Sequence, residues 1–150
     1  MDEAEFKRRT KELALAAIRL VDQLPGGTAS SVIGRQLVRC MTSVGANYRA
    51  SCRGRSIPEI LAKLSIVEEE ADEALYWLEM LEGAGLVRPG SLVSITDEAN
   101  QILAMTVASK RTLKARIGDK GFAGPARRPN RESWNAKSEP QGPPPSNRES

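Results

Sequence analysis

The run Gly54-Arg55-Ser56-Ile57-Pro58-Glu59 limits what this chain can fold into more than any other. Ser56 and Glu59 stand at S-x-x-E spacing. There a serine hydroxyl at a helix N-cap and a glutamate in the first turn each satisfy a backbone N–H that the helix leaves unpaired. Pro58 is tolerated because first-turn N–H groups have no intrahelical partner. Gly54 suits the left-handed position just past the end of the preceding helix. Little chain is left for the connection, so the two helices it joins must be antiparallel neighbours.

Both flanks carry helical periodicity. Upstream, the spacing predicts a second helix that begins at Thr28, Ser30 or Ser31, all good caps, and ends near Arg53. Ile33, Leu37, Cys40, Val44 and Tyr48 share one side of it, with Met41 at the edge. Gly34 and Gly45 fall on one flank, where another backbone is expected to pass close, because mid-helix glycine costs about 1 kcal/mol against alanine. Downstream, a third helix from Ile57 to about Glu82 presents Ile60, Leu61, Leu64, Val67, Ala71, Ala74, Leu75, Leu78 and Leu81 as its core face. A first helix is predicted over Asp2–Leu24, on Leu13, Ala14, Ala17, Leu20, Val21 and Leu24, and Pro25-Gly26-Gly27 ends it. A fourth follows the loop marked by Gly83, Gly85, Pro89 and Gly90. It starts at Ser91 or at Thr96-Asp97-Glu98 and runs to about Ile117. Aromatic residues are only 4% of the chain, so the core must be aliphatic and alanine-rich, which favours packed helices. The expected fold is all-α: an antiparallel up-down-up-down four-helix bundle over 1–117. The segment 118–150, rich in Pro, Gly, Ser and Arg, is expected to be a disordered tail, with Trp134 near Arg127, Arg128 and Arg131 as an incidental aromatic.

Charge is sorted between helices. Arg35, Arg39, Arg49 and Arg53 lie within about 80° of one another, opposite the apolar side, and span about 27 Å of helix. No acidic residue occurs between Gln23 and Pro58. The third helix is acidic, with Glu68, Glu69, Glu70, Asp72 and Glu73 clustered in it. The last turns of the fourth carry Lys110, Arg111 and Lys114, cations that suit a helix C-terminus. The arginine stripe is long enough to meet several phosphates of a nucleic acid. It can equally pair with the acidic helix or with a neighbouring subunit. Tyr76 and Met80, with Trp77 nearby, point away from the core face. They are expected to form a subunit interface, unless the loop after Gly83 folds back over them.

Catalytic and metal chemistry is poorly served. Histidine, the commonest general base and transition-metal ligand, is missing, and Ser65, Ser94 and Ser109 have no imidazole to activate them. The Glu68–Glu73 run lies on a single helix, where a solvated or arginine-paired face is expected rather than a metal site. Gly26-Gly27 lacks the lysine and glycine spacing of a phosphate-binding loop. Cys40 and Cys52, twelve residues apart on one helix, are separated by about 18 Å and should be free thiols. No cofactor is expected, and no enzymatic activity. The charged N-terminus and short apolar runs suit neither a signal peptide nor a membrane anchor, so a cytoplasmic bacterial protein is expected.

TSVGANYRASCRGRS followed by AKLSIVEEEADEALYWLEMLEGAGLV, with ANQILAMTVASKRT beyond, resembles the four helix bundle protein family, also called the ribosomal S23 or 23S rRNA intervening-sequence protein family. The likeness covers about 5–116; its specific element is A-N-Y, a following Arg-Ser turn and Y-W-L in that order. It implies an antiparallel bundle assembling as a homopentamer, with no established catalysis. Relatives include proteins encoded within large-subunit rRNA insertions and, more distantly, the accessory protein of diversity-generating retroelements, which works with a reverse transcriptase and binds nucleic acid. By this resemblance Ala46, Asn47, Tyr48, Glu69 and Tyr76 are structural or interface positions. Two functions stay open: an oligomer that binds RNA or DNA through Arg35, Arg39, Arg49, Arg53, Lys110, Arg111 and Lys114, or a protein-interaction scaffold accessory to a nucleic-acid enzyme.

Overall fold

The computed structural model describes residues 2–119. They form four helices, α1 (Glu3–Val21), α2 (Thr28–Ser51), α3 (Ile57–Gly83) and α4 (Val93–Asp119), with no strand among the described residues. None of these helices is long and apolar enough to cross a membrane. The expected tail and Trp134 lie outside the described residues, save that α4 continues through Gly118 and Asp119.

The helix ends follow from local chemistry. Asp2 caps α1, its carboxylate accepting the Glu5 N–H at 2.7 Å. The helix closes at Val21, three residues short of the expected Leu24, as Gln23 and Leu24 donate to carbonyls only three positions back. At the start of α2 none of the three candidate hydroxyls is the cap. Gly27 occupies that position and its carbonyl accepts from Ser31 N–H. At α3 the serine half of the capping box forms, and the glutamate half falls one residue before the cap. Ser56 Oγ accepts from Glu59 N–H, while the Glu59 carboxylate reaches back to Arg55 N–H at 3.0 Å.

Gly54 does not take the left-handed conformation; its role is steric. A Cβ there would lie 2.5 Å from Ile60 Cγ1 and 3.1 Å from the Ser51 carbonyl, so the glycine lets the start of α3 press against the end of α2. The left-handed closure belongs to Gly85, at φ 66°. There the Gly85 and Leu86 N–H groups bond back to Glu82 and Leu81, satisfying carbonyls the end of α3 leaves free. Leu86 and Val87 then pack on the core, and buried Leu92 anchors the entry to α4.

Successive helices pack against one another and α4 returns to α1, while the backbones of the diagonal pairs α1/α3 and α2/α4 stay more than 8 Å apart between Cα atoms. The Phe6–Tyr48 ring pair at 4.1 Å and the Val21–Gly34 contact fix α1 and α2 as antiparallel. The core runs down the centre: Leu13 and Ala17 of α1, Leu37, Cys40, Met41 and Val44 of α2, Val67, Ala71, Ala74, Leu78 and Leu81 of α3, and Ala99 and Ile102 of α4. Each large aliphatic side chain so buried stabilises the fold by about 1.5–3 kcal/mol. Buried Thr10 and Thr106 donate to carbonyls of their own helices, so neither hydroxyl is orphaned.

Packing between α1 and α4 is the least extensive, and a clamp crosses it. Arg9, with its side chain only 14% exposed, grips Glu98 through two bonds of 2.7 Å and adds a third to Gln101. This bidentate, half-buried geometry contributes more than a typical surface pair.

The two mid-helix glycines of α2 differ in what they allow. At Gly45 the neighbour is indeed backbone, the Thr10 carbonyl oxygen at 3.6 Å from an added Cβ. At Gly34 it is the β-branched side chain of Val21, 2.8 Å away. Gly45→Ala should therefore raise stability by up to about 1 kcal/mol through helix propensity. Gly34→Ala should lower it by about 1–2 kcal/mol, since Val21 has little rotamer freedom to yield. Urea unfolding of the two variants side by side checks the sign.

Candidate nucleic-acid interface

The outer face of α2 carries Arg35, Arg39 and Arg49 exposed, with exposed Arg53 in the turn two residues past the helix end at Ser51; Arg35, Arg49 and Arg53 make no salt bridge among the described residues. Arg39 is engaged. Its guanidinium bonds both oxygens of Glu70 at 3.0–3.1 Å, Glu73, and Gln36 at 2.9 Å, and lies 3.1 Å from Cys40 Sγ. Glu73 also accepts from Trp77 Nε1 at 3.0 Å. One rung of the stripe thus belongs to the α2/α3 contact.

The same arginine accounts for the cluster of potential ligands. Cys40, Glu70 and Glu73 place a sulfur and two carboxylates within 4.8 Å of one another. The Arg39 guanidinium already bonds all three, which makes the group an arginine-paired face. Burial pushes the Cys40 thiol up to about 12, against the pull of Arg39, so the sulfur stays protonated near neutral pH.

The Glu73 carboxyl is held below the ordinary glutamate range by its bond from Arg39 first and by Trp77 second. A carboxylate depressed in the folded state stabilises the fold above its unfolded value, about 4.3. That contribution is lost as pH falls through the lowered folded value. In a Trp134→Phe chain, Trp77 emission should hold steady from neutral pH down to about 4.3 and change below it. Glu73→Gln should abolish the step.

The cations of α4 divide in the same manner. Lys110 is tied to Glu68 of α3 at 2.7 Å, with only 14% of its side chain exposed. Arg111 and Lys114 are exposed and make no salt bridge among the described residues. Because α2 and α4 occupy opposite corners, the structure does not bring Arg111 and Lys114 together with the α2 arginines.

Periodicity within α2 alone missed two cations that do join that face. Lys7 and Lys11 of α1 line a groove of 560 Å³ with Arg49 of α2 and Arg53 of the turn just past its end. Only the α1/α2 register, set by Phe6 on Tyr48 and Thr10 on Gly45, brings them there.

On α3, Tyr76 is 52% and Met80 38% exposed, and Tyr76 stands edge-on to Trp77 with centroids 5.1 Å apart. The loop after Gly83 turns onto the core and leaves both side chains uncovered. Of the other positions implied by resemblance, Tyr48 packs on Phe6, Asn47 bonds Ser43 of its own helix, and Ala46 and Glu69 are exposed.

These features define an antiparallel bundle of four helices whose core is aliphatic and whose polar chemistry lies on outer faces and in grooves between helices. The chain belongs to the 23S rRNA-intervening sequence protein family, whose model matches residues 2–108, from the start of α1 into α4. It is similar to a crystal structure of a protein of unknown function from the S23 ribosomal protein family of Bacteroides thetaiotaomicron. The two are 27% identical with a TM-score of 0.69, over 74% of this chain and 99% of that one. Among curated proteins none matches.

Proposed function

We propose that the chain is a non-enzymatic, self-associating bundle that binds nucleic acid through phosphate contacts and acts in the cytoplasm. The observation that carries this reading is the outer face of α2 and the turn that follows it, a stretch without acidic residues where Arg35, Arg49 and Arg53 are exposed and unpaired among the described residues. The name of the matched family, which refers to an insertion in large-subunit rRNA, supports RNA as the first ligand to try. Arg111 and Lys114 supply a second, separate group of phosphate contacts. Exposed Tyr76 and Met80, with Trp77 beside them, support assembly, and the homopentamer implied by family resemblance is the state we assign. The same apolar patch, bordered by exposed Glu69 and Glu79, favours the second reading, a scaffold that docks a nucleic-acid enzyme.

Titration of a labelled RNA at several salt concentrations tests the first reading. Three phosphate contacts on a single strand give a slope of log K against log salt of about −2 per subunit engaged. Affinity indifferent to salt would reject phosphate binding and leave the scaffold. Sedimentation of the full chain tests the assembly, a monomer at micromolar concentration being the adverse result.

A further inference from the structure

Two grooves of similar size flank α1, and their electrostatics differ. The α1/α4 groove, 630 Å³, is lined by Arg8, Arg9 and Arg19 against Glu5, Glu12 and Glu98. Its charges cancel, and Arg8 and Arg9 are already bonded to those glutamates. The α1/α2 groove is lined by Lys7, Lys11, Arg49 and Arg53 with no carboxylate. Lys7 is held by Glu3, while Lys11, Arg49 and Arg53 make no salt bridge among the described residues. Four like charges thus converge on one cleft, and of the four only Lys7 has a carboxylate partner among the described residues.

From this contrast we infer that the α1/α2 groove is the seat of a nucleic-acid strand, gripping its sugar–phosphate backbone. The inference rests on the nucleic-acid reading above and assigns it a place. Each wall offers two cations one helical turn apart, about 6 Å, a spacing comparable to that of successive phosphates along a strand. The floor is shallow because Gly45, Ala46 and Thr42 are small, so a backbone can approach the cationic heads. The Thr10 and Thr42 hydroxyls donate to carbonyls of their own helices, and Tyr48 is stacked on Phe6. Neither a ring nor a free side-chain amide lines the groove to read a base, so the contact is sequence-independent. An acidic peptide or the acidic α3 of a second copy is the rival occupant.

The test uses the full chain and fluorescence anisotropy with a labelled oligouridylate RNA across a salt series. Lys11→Gln, Arg49→Gln and Arg53→Gln combined should weaken binding at least tenfold and flatten the salt slope by about 2 for each subunit engaged, at about 0.7 per phosphate contact. Thr42→Glu, which sets a carboxylate on an exposed wall position, should also weaken binding and guards against a folding defect in the triple variant. Arg39→Gln, already paired within the chain, should change affinity less than twofold. Circular dichroism and light scattering establish that helix content and mass are unaltered. If the unaltered chain shows no salt-dependent RNA binding, the nucleic-acid reading falls and the groove with it. If the unaltered chain binds and both groove variants bind equally well, the groove alone is overturned. It is overturned likewise if a polyglutamate peptide binds as tightly as RNA, or if the triple variant changes mass while keeping RNA affinity.

Discussion

Leu37→Ala lowers the unfolding free energy by about 2–5 kcal/mol, the range for truncating a fully buried leucine whose cavity cannot collapse. Leu37 is 0% exposed in the middle of α2, with Cys40, Met41 and Val44 on the same face and α3 packed across it. Closing the void would require one helix to move, and the Gly54–Ile60 contact and the Arg39 bonds to Glu70 and Glu73 hold α2 and α3 in register from both sides. Leu15→Ala removes the same atoms from a side chain 40% exposed on the outside of α1 and should cost less than about 1 kcal/mol. Urea unfolding monitored by circular dichroism gives both numbers. Protein concentration must be held constant, because association stabilises by mass action. Equal losses for the two leucines would mean that α2 does not carry the core.

The second large effect is kinetic. A thiol reagent at mildly alkaline pH should label Cys52 readily and Cys40 at least about a thousandfold more slowly. Cys40 is 0% exposed and its thiol is pushed up to about 12, so it reacts only through opening of the bundle. For a domain stable by about 5 kcal/mol that open fraction is below one part in a thousand. Cys52 is partly exposed just beyond the end of α2. Leu37→Ala should speed labelling of Cys40 about tenfold for each 1.4 kcal/mol of stability it removes, because the open fraction is exponential in that free energy, and leave Cys52 almost unchanged. Labelling the two cysteines separately, through Cys40→Ala and Cys52→Ala chains, reads each rate. Fast reaction of Cys40 in the folded protein would show that the α2/α3 seam opens locally.

How well the sequence foretold each feature depended on the range of the interaction behind it. Capping at Ser56 and Glu59 was legible because its partners lie within one helical turn. The exposure of Tyr76 and Met80 was legible by rotation about a single helix axis. Gly54 was assigned a left-handed role because a glycine at a helix end usually has one, whereas here it makes room for Ile60, six residues on. Lys7, Arg8 and Arg9 lie near the positive end of the α1 dipole, where a cation gains nothing from the helix itself. In the folded chain Lys7 meets Glu3, Arg8 meets Glu5 and Glu12, and Arg9 crosses to Glu98, eighty-nine residues away.

The amino-acid order by itself determined four helices, most of their ends and the stripe each one buries, because caps, turns and apolar spacing are properties of a few consecutive residues. Only the tertiary structure decided which charges remain available. Arg39 is bound to Glu70 and Glu73 and Lys110 to Glu68, while Lys7 and Lys11 stand across a groove from Arg49 and Arg53. Those pairings depend on how far each helix slides and turns against the next. Burial of the aliphatic core and the close approaches at Gly34, Gly45 and Gly54 set that register, and no period along one helix contains it.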